Sequence, residues 1–184
     1  MRKGPIRIVL FALVVIGLAF LFNLYFTHFD GDGKKTPKEA LPTDQQYEWI
    51  EGPKTENEQR YFFLSNKEYF GTGTVTKNFS GWSSNDGAYA KLPTPLSDNV
   101  IKQAYSDQQI IYGIFKPSGE VIVTVNGEKA EFIDLNQLPE DILQLYKVKD
   151  YVIWYVDYSK LQNTKEFHIK IMDSNNKLLH ELII

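Results

Sequence analysis

The sequence predicts a mainly β chain: an N-terminal transmembrane helix, a linker, and an antiparallel β-sandwich with one or two short helices. Three observations carry this. A charge-free apolar run extends from Ile8 to Phe26. Beyond Tyr47, segments rich in Tyr, Phe, Val, Ile and Thr are divided by turn signals, which recur every 8–12 residues or so through the second half. Asn126-Gly127 sits between two such segments and fits a type I′ hairpin.

The apolar run is 19 residues long, close to the roughly 20 that a helix needs to cross a hydrocarbon core. It is apolar all round, unlike a helix with one buried face. No small-x-small site follows it, so it reads as a retained signal-anchor rather than a cleaved signal. Arg2, Lys3 and Arg7 precede it and Asp30 and Asp32 follow, which puts the N-terminus in the cytoplasm. The expected organisation is a cytoplasmic tail over 1–7, a transmembrane helix over 8–27, a flexible Gly- and Pro-punctuated linker over 28–45, and an extracytoplasmic β-rich domain over 46–184.

Within that domain, Arg60–Leu64 and Tyr69–Phe79 read as strands, with Gly71 and Gly73 marking a bend or bulge. Ser97–Tyr105 has a capping Ser-Asp start and spaced apolar residues, which predict a short helix. Gln109–Phe115 is a strand that stops at Lys116-Pro117-Ser118-Gly119. Glu120–Val125 and Lys129–Leu135 form the hairpin arms, and Pro139 opens one short helical turn. Tyr151–Val156 is apolar on both faces and reads as a central strand covered on both sides. Lys165–Met172 alternates, and Lys177–Ile184 is the last strand.

From about Ile110 to the end, this order of strands resembles the immunoglobulin-like β-sandwiches of membrane-anchored Gram-positive envelope proteins. The residues that carry the resemblance are the Val121-to-Phe132 hairpin, the aromatic strand around Trp154, and Ile169–Asp173 turning into Lys177-Leu178-Leu179. The paired cysteines of antibody domains are missing, since the chain has none. The resemblance implies a domain that binds, spaces or presents.

Chemical motifs are sparse. A net charge of -3 argues against nucleic acid as a partner. Without cysteine there is no disulfide, thiolate metal site or thiol nucleophile. His28, His168 and His180 make no ligand set, so no metal and no cofactor are expected. No Gly-x-Ser-x-Gly elbow occurs, and Gly71-Thr72-Gly73 lacks the Lys of a phosphate loop. No catalytic residue is assigned; Asp157, Glu166 and Asp173 are acids such as any domain carries. The unusual stretch is Tyr69–Tyr89, where aromatics alternate with Gly, Ser and Asn as in adaptable binding loops. Its candidate binding residues are Asn78, Phe79, Trp82, Asp86 and Tyr89. The functional expectation is a non-enzymatic, membrane-tethered module whose partner is the membrane together with an envelope protein or a cell-wall polymer. The alternatives are an enzyme using dispersed carboxylates, and an accessory subunit assembling through its transmembrane helix.

Overall fold

The computed structural model describes residues 4–29, 33–43, 47–85, 87–161 and 166–184. The N-terminal run forms helix α1, Gly4–Phe29, with side chains described over 7–22. These stand exposed on every side, from Ile8 at 71% to Phe20 at 65%. Among the described residues no helix is long and apolar enough to cross a membrane. Residues 7–22 alone fall short of the roughly 20 that a span requires.

The rest is mainly β, in antiparallel sheets. The first sheet comprises β1 (Tyr47–Lys54), β2 (Glu58–Ser65), β3 (Tyr69–Asn78), β4 (Gly81–Ser84) and β5 (Ala88–Lys91). β4 and β5 pair with successive halves of the same edge of β3. Further on come β6 (Tyr105–Ser106), β7 (Ile110–Phe115), β8 (Val121–Val125), β9 (Glu128–Lys129), β10 (Glu131–Asp134), helix α2 (Glu140–Tyr146), β11 (Val152–Asp157), β12 (His168–Asp173) and β13 (Leu178–Ile183). They build a second sheet in the order β10-β11-β7-β6 and a third in the order β13-β12-β8-β9.

The second sheet is the middle layer. Side chains on a strand alternate between faces, and both faces of β7 and β11 are apolar. Ile110, Tyr112, Ile114, Ile153 and Tyr155 meet Ile50, Phe62, Leu64 and Phe70 of the first sheet, with Leu143 and Tyr146 of α2 closing the end. Ile111, Phe115, Trp154 and Val156 meet Val123, Val125, Ile169 and Ile171 of the third. The expected two-face burial around Trp154 is therefore present, but it comes from three stacked layers. The Trp154 indole lies against Gly113, its partner across the β7–β11 ladder, where a Cβ would fall 2.8 Å from the ring.

Several local expectations need correction. Ser97–Tyr105 is not a helix. Asn99 takes a left-handed φ of 56° and its side chain bonds both the N–H and the carbonyl of Ser118, while Tyr105 enters β6. Gly71 and Gly73 mark no bulge, since β2 and β3 pair without a slip. Gly71 is instead a close-approach site, with Phe63 and Tyr89 within 2.7 Å of where its Cβ would stand. The helical turn after Pro139 is longer than one turn and ends at left-handed Lys147. Asn126 and Gly127 have φ of 50° and 91°, as a type I′ turn requires. The returning arm does not stay with β8, however. It changes sheets at buried Ala130, and β10 joins β11. The segment expected to be a spacer, 28–45, packs over its described part 33–43. Lys34 bridges Trp82, and Leu41 is 6% exposed among Tyr61, Val75 and Trp82.

Two predictions follow from this packing. Gly113→Ala drives a methyl into the Trp154 ring and is expected to cost about 1–3 kcal/mol, the usual range for overpacking; urea denaturation measures it, with an unchanged midpoint as the contrary result. The Tyr155 hydroxyl donates to Glu131 at 2.6 Å and Lys160 bonds the other oxygen at 2.9 Å. These contacts, the Tyr155 bond foremost, hold the Glu131 carboxyl below its ordinary 4.5. A depressed carboxyl contributes stability above its unfolded pKa, and loses it as pH falls through the folded value. The stability gap between wild type and Tyr155→Phe should thus be widest at neutral pH and close on acidification below about pH 4.5, read from denaturation midpoints.

Candidate functional site

Alternation along the first sheet leaves a second set of side chains facing away from the core. On β1 these are Tyr47 and Trp49, on β2 Tyr61 and Phe63, on β3 Tyr69, Gly71, Gly73 and Val75. The strands place aromatics here because strands favour them, and cross-strand pairing sets them ring against ring. Tyr47 lies 4.9 Å from Trp49 and 5.1 Å from Phe63, edge-on to the latter. Trp49 meets Phe63 at 5.1 Å, and Tyr69 meets Tyr89 at 5.6 Å with the rings at 90°.

Only part of this face is covered. Residues 33–43 lie over the end formed by Tyr61, Val75 and Trp82. Beside them lie two adjoining hollows that share Tyr47, Phe63 and Tyr89, the first also lined by Leu41 and Pro42. One, of ≈ 190 Å³, is bounded by Trp49, Gly73, Ser84 and Asn85; the other, of ≈ 350 Å³, by Ser65, Asn66 and Tyr69. Gly73 has no side chain, so the floor beside Trp49 stays low. Among the described residues no Lys, Arg, His, Asp or Glu lines either hollow. The arrangement offers aromatic faces for stacking and neutral hydroxyls and amides for hydrogen bonds. Its described lining holds no carboxylate, amine or imidazole.

A third hollow, of ≈ 380 Å³, lies where the first and second sheets meet, and Glu58, Arg60, Gln109, Asp157 and Ser159 line it. Its Arg60 is already engaged: it is buried, ion-paired with Asp107 and bonded to Gln109 and Thr72. Burial pushes the Asp157 carboxyl up, but the Ser159 hydroxyl and N–H, with Lys160 and Arg60 nearby, outweigh it and leave Asp157 below its ordinary value. That carboxylate stays ionised at neutral pH and is no proton donor. Nor do His168 and His180 share a partner. His168 bonds Glu181 at 3.2 Å while His180 bonds the Ile101 carbonyl at 3.0 Å. Among the described residues no group of three or more potential ligands could hold a metal ion.

The structure scatters the residues that the sequence singled out. Asn78 serves the β3–β4 turn, its Oδ1 accepting from the Ser80 and Gly81 N–H groups at 3.0 Å each and from the Ser80 hydroxyl at 2.7 Å. Phe79 is at the tip of that turn, 77% exposed. Trp82 is buried under residues 33–43. Asp86 lies outside the described residues. Tyr89, 67% exposed, borders the aromatic hollows. Sequence reasoning did not name Tyr47, Trp49 or Phe63 as site residues, and it took in Tyr69 only as the start of the Tyr69–Tyr89 stretch. The available signal was the i, i+2 aromatic pairs Tyr47/Trp49 and Tyr61/Phe63, which alternation places on one face. No known protein family, curated protein or solved structure matches the chain.

The two kinds of ion pair should separate in mutants. Arg60→Met leaves Asp107 without its buried partner and is expected to cost about 3–5 kcal/mol. Lys91→Ala removes a pair to Glu68 that stands in solvent and should cost less than about 1 kcal/mol. Equal losses in urea denaturation would contradict this ranking.

Proposed function

We propose that the chain is a membrane-tethered, extracytoplasmic binding module of the cell envelope that works without catalysis. In this reading α1 is its retained anchor and the open aromatic face of the first sheet is its ligand surface. The observation that carries the proposal is the aromatic-lined pair of hollows around Tyr47, Phe63 and Tyr89, with no charged side chain among their described lining residues. Such a lining suits a neutral ligand with flat apolar faces and hydroxyl-bearing edges, which describes the sugar rings of a cell-wall polymer. The apolar side chains exposed all around α1 support the anchor, because they require cover that an aqueous setting withholds. Arg2, Lys3 and Arg7 favour a cytoplasmic N-terminus. The second and third sheets, on which the immunoglobulin-like resemblance rests, serve in this reading as the scaffold behind the ligand-bearing sheet.

A protein partner is the second reading. The observation that favours it is β13, an edge strand with Leu178, Leu179 and Ile183 exposed.

Tryptophan fluorescence of the full chain in nanodiscs, titrated with soluble neutral cell-wall glycan fragments, tests the proposal. Saturable binding is expected, with Tyr89→Ala weakening it at least fivefold, about 1 kcal/mol, and circular dichroism unchanged. A Kd indifferent to Tyr89→Ala would remove the face from the site.

A further inference from the structure

The β3–β4 turn packs against Gly33 and Lys34, which follow α1 by a few residues in sequence. Gly33 packs beneath it, so closely that a Cβ there would stand 2.6 Å from the Ser80 carbonyl oxygen. The next residue, Lys34, exchanges both backbone hydrogen bonds with Trp82, at 3.1 and 2.8 Å, as an added strand would. α1 ends at Phe29, so four peptide steps separate the helix from Gly33. Fully extended, four steps reach about 14 Å. The apolar run ends at Phe26, and the three helical residues after it rise about 4.5 Å. Gly33 is therefore confined to about 19 Å or less from the hydrocarbon edge of any membrane that α1 enters. The headgroup layer itself occupies about 5–7 Å of that.

What the turn presents suits that location. Phe79, at its tip, is an aromatic with 77% of its surface exposed. Asn78 ties the turn from within by three hydrogen bonds, so the tip is held in shape. Lys34, Lys35 and Lys77 are exposed close by, with Glu39 as the acid that accepts the Lys35 N–H. An aromatic tip among lysines matches the acyl–headgroup boundary, where rings lie among the chains and ammonium groups reach lipid phosphates. We propose that the Asn78–Gly81 turn, led by Phe79, is a second membrane contact that seats the β domain on the bilayer surface. This rests on the retained-anchor reading of α1.

The absence of cysteine permits single-site labelling of the full chain. An environment-sensitive nitrobenzoxadiazole dye is attached in turn at Ser80→Cys beside the tip, at Asn175→Cys in the distant β12–β13 turn, and at Leu13→Cys in α1. Each protein is placed in phosphatidylcholine–phosphatidylglycerol vesicles carrying a spin label at a shallow acyl position. Quenching at position 80 at least threefold greater than at 175 is expected, and adding Phe79→Ser should cut it by half or more. Equal quenching at 80 and 175, with position 13 quenched, would overturn the turn contact and leave the anchor standing. No quenching at position 13 would remove the anchor and the proposal with it. Quenching at 80 that survives Phe79→Ser would assign the contact to the tether alone and overturn the role of the turn.

Discussion

Everything in this fold depends on the burial of both faces of β7 and β11. All six residues of β7 are buried, and Ile153, Trp154, Tyr155 and Val156 of β11 alternate between two cores. A sheet apolar on both sides is stable only between two covers, so the first and third sheets are obligatory. The tightest point is the Trp154 ring over Gly113, and it carries a cost. The Trp154 indole N–H is buried without a hydrogen-bond partner, a penalty that the surrounding apolar contacts must exceed.

That constraint also shapes the surfaces. The first sheet gives one face to the middle layer, which uses Ile50, Phe62, Leu64 and Phe70. Its other face inherits the aromatics at alternate positions, and an isolated aromatic sheet face needs cover of its own. The chain supplies part of it from residues 33–43, which explains why a polar, Pro-containing stretch packs at all: Leu41 and Ala40 are its apolar handholds on Trp82, Tyr61 and Val75. Leu41 and Pro42 of that cover line a hollow together with Tyr47, Trp49, buried Phe63 and exposed Tyr89, and no charged side chain is among its described lining residues. Charge is spent elsewhere, on exposed pairs and on Arg60, whose guanidinium is consumed by Asp107, Gln109 and Thr72.

Features set by neighbouring residues were legible in the sequence. The Asn126-Gly127 turn, the double burial of Tyr151–Val156 and the strand character of most of the chain all follow from short-range pattern. What escaped depends on partners remote in sequence. Nothing near Ala130 announces that one arm of a hairpin will leave its sheet for β11, because the reason is core space between two sheets. Ser97–Tyr105 has helical spacing, yet Asn99 is turned by Ser118 and Ile101 is drawn into the second core. Trp82 looked like a loop aromatic because its cover, residues 33–43, is distant along the chain. The candidate face was hidden for the same reason: which side of β1 meets the core is set by the second sheet, far along the chain from Tyr47 and Trp49.

The first sheet then sets a length between the two surfaces proposed for it. Phe79 is at one end of β3, and the aromatic hollows lie opposite Gly71 and Gly73 nearer the other. Five to seven residues of strand separate Asn78 from those glycines, or about 17–24 Å at 3.4 Å per residue. A domain seated through the β3–β4 turn would hold its ligand face at that height. A flexible spacer would let the face wander over the full reach of an eighteen-residue chain, whereas Lys34 hydrogen-bonded to Trp82 shortens the tether to a few residues. The packing of residues 33–43 covers the aromatic end nearest the turn, and in the proposed seating it would also make β3 the element that positions the aromatic face.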